Sequence, residues 1–324
     1  MGTFENILSL VGGLALFLFG MSLMAEGLEK RAGDGLRRWL EKLTANRFLG
    51  LLLGAGVTAL IQSSSAVTVM TVGFVNAGVM TLRQSVGVIM GANIGTTLTA
   101  WLLSLTQLEG SGFLFALLKP SGFTPILSAV GAVWYLFSQN EKKRCTGLIF
   151  LGFSVLIVGM NAMTDAVKPL AAQEGFQRIF VAFSNPLIGV LTGAILTAIL
   201  QSSSASVGIL QALSATGGIT VRAAIPLIMG LNIGTCVTSL LSAVGAEKNA
   251  RRAATVHLYF NLLGTLILLI PYFVLPWFFE VGFLTRAVTA FDVALIHTGF
   301  NLLGTLILFP FAGLLEKLAV RTVR

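Results

Sequence analysis

A short polar sequence that occurs twice decides how this chain folds. Residues 62–66 read Gln-Ser-Ser-Ser-Ala, and residues 201–205 repeat these five residues 139 positions later. The same offset aligns the flanking segments without a gap, and 20 of the 46 positions from 54 to 99 are identical to their partners. Identity at this level over an ungapped stretch indicates an internal duplication. The chain therefore contains two copies of one structural unit.

The composition places both copies in a lipid bilayer. Of the 324 residues, 55% are hydrophobic and 10% are charged, and the mean hydropathy is +0.89. An ordinary soluble domain has about 25% charged residues, so a soluble enzyme and a disordered chain are both excluded. The net charge of +8 does not indicate a nucleic-acid partner, because basic residues accumulate in the cytoplasmic loops of membrane proteins. We expect an all-α polytopic membrane protein.

Seven hydrophobic segments are long enough to cross the bilayer, which takes ~20 apolar residues per helix. They are residues 7–28, 83–106, 113–138, 146–166, 222–244, 253–275 and 287–312. No basic residue precedes the first of them, so we expect a retained span rather than a cleaved signal peptide. Residues 33–44 alternate charges with apolar residues at helical spacing, which predicts an amphipathic helix in the membrane interface.

The two segments that contain the polar repeat do not have the pattern of simple spans. Residues 48–78 and 188–217 each carry Gln-Ser-Ser-Ser at the middle, between two apolar arms of roughly a dozen residues. Arms of that length are too short to cross the bilayer. Each segment is therefore predicted to be a re-entrant helical hairpin whose polar tip is buried within the protein.

The basic residues predict the orientation of the chain. With the N-terminus outside, 16 of the 21 Lys and Arg residues lie on the cytoplasmic side, as does the C-terminus. Three full spans separate the starts of the copies, so the second copy is inverted. This predicts two inverted-topology repeats, residues 1–139 and 140–250, followed by C-terminal transmembrane helices at 251–324, in the plasma membrane. Inverted repeats with discontinuous helices are typical of secondary transporters.

The chemistry of a hairpin tip favours ions. The helix that begins after a tip directs free N–H groups and its positive dipole end at the surrounding cavity, which favours an anion such as phosphate. Carbonyl, Gln and Ser oxygens at the tip also suit a hard cation such as Na⁺. The alternative is that the serines only hydrogen-bond across helix interfaces. The predicted phosphate-binding residues are Gln62, Ser63, Ser64, Ser65, Gln201, Ser202, Ser203 and Ser204.

A second duplicated motif follows each hairpin. Gly-x-Asn-Ile-Gly-Thr occupies residues 91–96 and 230–235, and we expect its glycines to let the helix open. The oxygens then offered to a cation belong to Asn93, Thr96, Asn232 and Thr235. Packing by small residues is the alternative role of this motif.

Two other matched pairs of polar residues leave their roles open. His257 and His297 start two copies of a His-x-x-x-Asn sequence, and they are either structural hydrogen-bonding groups or proton carriers. Glu26 and Asp165 match across the repeat near helix ends, where they serve either as interfacial caps or as ion ligands.

The remaining candidates have simpler interpretations. Arg83 and Arg222 match across the repeat and are predicted to be interfacial anchors rather than anion ligands. Asp292, near the start of the last span, is expected to be solvated. Cys145 lies in a basic loop and Cys236 within a span, so we expect no disulfide between them.

These motifs resemble those of one family. The paired Gln-Ser-Ser-Ser resembles the signature of the type II sodium–phosphate cotransporters, and residues 91–97, 222–235 and 251–261 are similar to the motifs around it. The resemblance implies a transporter, not an enzyme, that couples phosphate uptake to inward Na⁺ movement. It also implies sites between the two tips and neighbouring broken helices, and an elevator-like movement of a transport domain.

The resemblance extends the set of cation ligands. Thr97 joins it, but its partner in the second copy is Cys236, so the two halves need not bind the same number of ions. Bacterial relatives often carry a soluble regulatory domain after the membrane part, and because this sequence stops at Arg324 we expect that domain to be absent or to have been removed. The implied Na⁺-binding residues are Gln62, Ser65, Asn93, Thr96, Thr97, Gln201, Ser204, Asn232 and Thr235.

Three other functions fit parts of the pattern. Tips rich in hydrogen-bond donors also suit another oxyanion or a carboxylate. A passive anion channel would use the same architecture without coupling. An intramembrane serine hydrolase would need a base near its nucleophile, and no Gly-x-Ser-x-Gly elbow, Lys or His lies near either serine triplet in sequence.

Overall fold

The computed structural model describes residues 3–33, 46–107, 120–170, 173, 183, 185–278 and 282–324. Nearly all of them are α-helical, which confirms the all-α class, and the sole β-type pairing among them is a bridge between Thr220 and Ala287. In chain order the helices are α1 (Thr3–Ala32), α2 (Arg47–Ile61), α3 (Ser64–Asn76), α4 (Leu82–Ser104), α5 (Pro120–Phe137), α6 (Glu141–Leu170), α7 (Pro186–Leu200), α8 (Ser203–Ser214), α9 (Val221–Ser242), α10 (Lys248–Phe278), α11 (Ala290–Leu308) and α12 (Ala312–Thr322).

Six helical stretches in the described part are long and apolar enough to cross a membrane. They are Phe4–Ala32, Leu82–Gln107, Glu141–Pro169, Val221–Ser242, Lys248–Val274 and Ala290–Leu308, and they correspond to six of the seven predicted spans. The other predicted span, 113–138, is described only from residue 120, as the 18-residue helix α5. The predicted interfacial helix at 33–44 lies, apart from Gly33, outside the described residues.

Close contacts at glycines show how the chain runs around the first polar break. A methyl group at Gly87 would overlap the carbonyl oxygen of Arg47, and one at Gly91 would overlap that of Leu51. Residue numbers therefore rise together along α2 and α4, so these two helices are parallel and start at the same level. The chain must reverse at Gln62 and return through α3 before α4 begins.

The second copy repeats this arrangement. The bounds of α7, Pro186–Leu200, are those of α2 shifted by 139, and α8 and α9 begin at the same offset from α3 and α4. Methyl groups at Gly230 and Gly234 would overlap the carbonyl oxygens of Val190 and Ala194, so α7 and α9 are also parallel. The duplication read from the sequence is thus visible in the fold.

The prediction that residues 91–96 and 230–235 open their helices is wrong. Both segments lie within uninterrupted helices, α4 and α9. The glycines bring backbones together instead: a side chain at Gly95 or Gly234 would overlap a carbonyl oxygen of the parallel helix. The helix discontinuities occur at the two Gln-Ser junctions.

Helices α1 and α6 occupy equivalent places in the two copies and pack against each other. Gly13 lies near Met163, Gly20 near Leu156 and Gly27 near Cys145. Residue numbers rise along α1 while they fall along α6, so the two helices are antiparallel. Close approach through glycines is typical of helix pairs in membranes.

The end of the chain differs from the prediction. The predicted span 287–312 is too long, because α11 ends at Leu308 and Pro310, which lacks a backbone N–H, separates it from α12. Helix α12 is amphipathic: Ala312, Leu315 and Ala319 are buried in an apolar cluster with α3, α4 and α10. Glu316 on its polar side pairs with Arg47 at the start of α2, at 3.1 Å.

Candidate functional site at the two helix breaks

The first break is produced by two adjacent residues with different backbone conformations. Gln62 ends α2 in the left-handed conformation, with φ 58° and ψ 26°, and its N–H donates to the carbonyl of Thr58. Ser63 is extended and caps α3, because its Oγ accepts a hydrogen bond from the N–H of Ala66 at 3.2 Å. A side chain in the left-handed conformation costs roughly 1–2 kcal/mol. The surrounding helices must therefore hold Gln62 in place.

The second break has the same backbone. Gln201 is left-handed, with φ 52° and ψ 24°, and Ser202 caps α8 by accepting from the N–H of Ala205 at 3.2 Å. Gln62 and Gln201 are the two non-glycine residues with positive φ in the described part of the chain. Identical sequence has thus produced the same strained turn twice.

The two breaks meet in space. The Ser65 hydroxyl donates to the carbonyl oxygen of Gln201 at 3.4 Å, across 136 residues of sequence. Both Gln-Ser-Ser-Ser segments line one cavity of about 460 Å³, which includes all eight predicted phosphate-binding residues. The lining residues are Leu18, Met21, Ser22, Met24, Ala25, Glu26, Glu29, Gln62, Ser63, Ser64, Ser65, Thr99, Gln201, Ser202, Ser203 and Ser204.

The cavity is rich in hydrogen-bond donors. Helices α3 and α8 both begin in it, so their first N–H groups and the positive ends of their dipoles are directed at the same space. Ser63 and Ser202 accept a bond as caps, which leaves their hydroxyl protons available to a ligand. Among the described lining residues there is no Lys, Arg or His, whereas two are Glu.

The two glutamines make different contacts. The Gln62 side chain is buried, with its Oε1 accepting from the Thr99 hydroxyl at 2.9 Å and its amide donating to the carbonyl of Ala59. Gln201 is exposed in the cavity. Thr238, the repeat partner of Thr99, has a buried hydroxyl without a hydrogen-bond partner. The backbone of the breaks is the same, but only the first glutamine is bonded to the long helix behind it.

The five remaining Na⁺ candidates do not line this cavity. Asn93, Thr96 and Thr97 are buried on α4, and Asn232 and Thr235 are buried on α9. Each donates to a carbonyl of its own helix, at 2.7 to 3.0 Å. The structure therefore separates them from Gln62, Ser65, Gln201 and Ser204, which do line it.

The residues that sequence reasoning missed are Thr99 and one face of α1. Thr99 matches Thr238 across the repeat, so the duplication contained a signal for it. On α1, Leu18, Ser22, Ala25 and Glu29 follow helical spacing and line the cavity. Their place beside the breaks depends on tertiary packing, which the local sequence does not specify.

The histidines lie outside the cavity lining. His257 is buried on α10, and its Nδ1 is 2.9 Å from the Ser239 hydroxyl. His297 is buried on α11 with both ring nitrogens unpartnered. Of the pair Glu26 and Asp165, Glu26 lines the cavity and pairs with Lys30, whereas Asp165 is exposed elsewhere.

The expectation that Asp292 is solvated is wrong. Asp292 is buried, accepts from both guanidinium nitrogens of Arg286 at 2.6 and 2.7 Å, and closes a capping box with Thr289. These bonds raise the pKa of Arg286. Both cysteines are free, and Arg83 and Arg222 are exposed.

The long apolar helices around this polar cavity are those of a multi-pass membrane protein. Comparison with known proteins gives the family. The chain belongs to the Na⁺/Pi-cotransporter family, whose model matches residues 16–165 and again residues 155–305. The two matches begin 139 residues apart, which is the offset of the duplication. That family is a transporter family.

Individual relatives differ in what their names say. YjbB of Escherichia coli strain K12, named for inorganic phosphate export, is 29% identical over 265 residues, or 82% of this chain and 46% of YjbB. YqeW of Bacillus subtilis, uncharacterized, is 28% identical over 264 residues, 81% of each chain. Human sodium-dependent phosphate transport protein 2B is 45% identical over 160 residues, 45% of this chain and 23% of that protein. This chain thus spans about half the length of YjbB. No solved structure matches it significantly.

Proposed function

We propose that this protein carries inorganic phosphate across the plasma membrane together with Na⁺, by alternating access. One observation carries the proposal: the polar breaks of two copies of one repeat meet in a single cavity of about 460 Å³. A site shared between repeats is where secondary transporters bind their substrates.

The donors of the cavity suit phosphate. Its ionic form near neutral pH carries roughly −1.5 to −2 charges if it resembles a phosphomonoester, and its oxygens accept many hydrogen bonds. Two helix N-termini and six serine hydroxyls from the two triplets supply donors without supplying positive charge. These eight residues, Gln62–Ser65 and Gln201–Ser204, are the phosphate site in this proposal.

The charge balance supports coupling to a cation. The described lining has no basic side chain and includes Glu26 and Glu29, so a phosphate dianion finds no compensating protein charge. Bound Na⁺ would supply it. Oxygens of Gln62, Ser65, Gln201 and Ser204 are the ligands within the cavity. The further ligands proposed from sequence are Asn93, Thr96, Thr97, Asn232 and Thr235.

In this proposal the two copies are inverted, and residues 48–78 and 188–217 are re-entrant from opposite faces. The antiparallel packing of the equivalent helices α1 and α6 supports this, because inverted copies place equivalent helices in opposite directions. With the N-terminus outside, the end of α1 that carries Lys30 and Arg31 is cytoplasmic. The cavity along that end then opens to the cytoplasm, and an elevator-like movement would expose it on the other side.

Uptake into proteoliposomes tests the function. We expect ³²P-phosphate to accumulate above equilibrium with an inward Na⁺ gradient and not with K⁺ or H⁺ gradients. A Ser64→Ala, Ser203→Ala double variant should lose most of this uptake. The matched control is Ser128→Ala with Ser242→Ala, whose hydroxyls bond to their own helices outside the cavity. Normal uptake by the Ser64, Ser203 variant would exclude these breaks as the site.

The name of YjbB raises export as a second candidate. A coupled carrier runs in whichever direction the combined gradients favour, so the same cavity serves import or export. Efflux from liposomes loaded with labelled phosphate, with Na⁺ high inside, should match uptake under the reverse gradient. Competition by arsenate, sulfate and succinate distinguishes phosphate from another oxyanion or a carboxylate, and strong inhibition by succinate alone would contradict a phosphate site.

A further inference from the structure

A second cavity lies away from the two helix breaks, where the turn after α9, the start of α10 and the end of α12 meet. Its volume is about 610 Å³, and it shares no lining residue with the cavity at the breaks. The Arg252 Nε donates to the carbonyl oxygen of Val323 at 3.0 Å, which joins α10 to the end of α12 beside it. The lining residues are Leu240, Ala243, Val244, Gly245, Arg251, Thr255, Thr322, Val323 and Arg324.

The segments that form this second cavity are strongly basic. Residues 240–255 and 312–324 together contain six basic and two acidic residues. Of the acidic residues, Glu247 is exposed and Glu316 already pairs with Arg47. An excess of positive charge therefore remains even when a terminal carboxylate at the end of the chain is counted. The basic residues are Lys248, Arg251, Arg252, Lys317, Arg321 and Arg324.

Two of these cations line the second cavity directly. Arg251 and Arg324 are exposed, and neither has an ion-pair partner among the described residues. The hydroxyls of Thr255 and Thr322 donate to carbonyls of their own helices, at 2.9 and 3.0 Å. The guanidinium groups are therefore the side-chain donors that the described lining leaves available. This second cavity thus differs from the one at the breaks, which has serine hydroxyls and no basic side chain in its described lining.

The second cavity lies at the ends of two candidate membrane spans. The span Val221–Ser242 ends just before the turn that lines it, and the span Lys248–Val274 begins just after that turn. Leu241 and Val244, at the end of α9 and in the turn, are 54% and 77% exposed. Exposed apolar side chains beside unpaired cations at the end of a span match the bilayer interface, where acyl chains meet charged headgroups.

We propose that this second cavity binds the phosphate headgroup of an anionic phospholipid. Guanidinium groups donate to phosphate oxygens in a bidentate geometry, and Arg251 and Arg324 offer such donors from two different elements. The acyl chains then lie along Leu241 and Val244. In the orientation proposed above, this end of the protein faces the cytoplasm, where the leaflet is rich in anionic lipids.

The apolar rim favours a lipid over free phosphate. Two arginines at an open surface hold a free anion weakly, because water and salt compete with them. A phospholipid has the same phosphate chemistry and also buries acyl chains, and each buried methylene adds to its affinity. The exposed side chains of Leu241 and Val244 contribute to binding only in the second case.

Lipid binding by the purified full chain tests the proposal. Phosphatidylglycerol and phosphatidylcholine are titrated separately in an uncharged detergent, and bound lipid is counted by native mass spectrometry. One basic residue near an anionic lipid is worth about fivefold in affinity, so the wild type should prefer phosphatidylglycerol by about 25-fold. Arg251→Gln with Arg324→Gln should remove most of this preference. The preference should also shrink as NaCl is added.

Lys142→Gln with Lys143→Gln is the matched control, because it removes the same charge from exposed side chains at the start of α6, outside the second cavity. This variant should keep the preference. Loss of the preference in the control, or its retention in the arginine variant, would refute the site. If the double arginine variant is not monodisperse in detergent, the single variants replace it, and each should lose about fivefold.

The soluble headgroup distinguishes a lipid from a free anion. Glycerophosphoglycerol has the phosphodiester of phosphatidylglycerol without its acyl chains, so it should displace the lipid only at a much higher concentration. Displacement by equal concentrations of glycerophosphoglycerol or inorganic phosphate would overturn the proposal in favour of a free-anion site. None of these measurements depends on phosphate transport, so their outcome leaves the proposed function unaffected.

Discussion

The two polar breaks have the same backbone conformation but make different side-chain contacts. At the first, Gln62 is bonded to Thr99, while the hydroxyl of Thr58 is buried without a partner. At the second, Gln201 is exposed, while Thr197, the repeat partner of Thr58, bonds to Ser206 at 2.8 Å. In each copy, one of the two equivalent threonine hydroxyls has a hydrogen-bond partner that its counterpart in the other copy lacks.

The two differences have different origins. Ser206 corresponds to Val67, so Thr58 lacks its partner because the copies have diverged in sequence. Thr99 corresponds to Thr238, so both copies have the hydroxyl that a glutamine needs. Gln201 differs from Gln62 because of where it lies in the cavity rather than because of local sequence. Local sequence thus determines the backbone of a break, and its surroundings determine whether the glutamine is bonded.

The largest effect is expected where the copies are alike. Valine at Gly91 or at Gly230 would overlap the carbonyl oxygen of Leu51 or Val190, and neither backbone can move away without separating its helix pair. Both variants should lose most of the folded protein, measured as the monodisperse fraction in detergent by size-exclusion chromatography. Alanine at Gly56, which has open space around it, is the control. Tolerance at one position alone would mean that the two helix pairs are not equivalent.

A smaller effect is expected where the glutamines differ. Gln62→Ala removes the partner of a buried Thr99 hydroxyl and should cost about 1–3 kcal/mol of stability. Gln201→Ala should lower the stability by less than about 0.5 kcal/mol, apart from any change in the cost of the left-handed backbone, because the Gln201 side chain is exposed. Both variants share the left-handed backbone penalty, so the difference in their melting temperatures in detergent isolates the side chain. Equal destabilisation would contradict the distinction between the breaks.

The smallest effect is expected at Val67 and Ser206, which occupy equivalent positions but differ between the copies. Ser206→Ala leaves the Thr197 hydroxyl without a partner and should cost about 1–2 kcal/mol. Val67→Thr offers a hydroxyl to Thr58 at nearly constant shape, and should change stability by less than about 1 kcal/mol. Thermal unfolding of the two variants in the same detergent compares them. If Val67→Thr were as destabilising as Ser206→Ala, the absence of a hydroxyl at position 67 would not be the reason that the Thr58 hydroxyl lacks a hydrogen-bond partner.

Much of the architecture was predictable from sequence because it depends on local patterns. The duplication, six of the long helices and the two breaks follow from repeated residues and from the lengths of apolar runs. The role of the glycines at 91–96 was not predictable in this way, since glycine both opens helices and lets them pack closely. Tertiary structure selects the second role here.

The site was predictable to a similar extent. Both serine triplets line the cavity because identical turns direct them to it. The wall formed by α1 depends on the packing of a helix distant in sequence, and no local pattern specifies it. Asp292 was misjudged although Thr289-x-x-Asp292 has the spacing of a capping box, a signal that was available in the sequence.

The glycine contacts between the parallel helices have a mechanical consequence. Gly91 and Gly95 bring the backbone of α4 directly against that of α2, so no side chain lies between the two at these points. A displacement of α4 along its axis is therefore transmitted to Gln62 without being absorbed by rotamer changes. The polar turn at Gln62 and helix α4 should therefore move as one rigid unit. Helices α7 and α9 have the same glycine contacts, so the second turn should move with α9 in the same way.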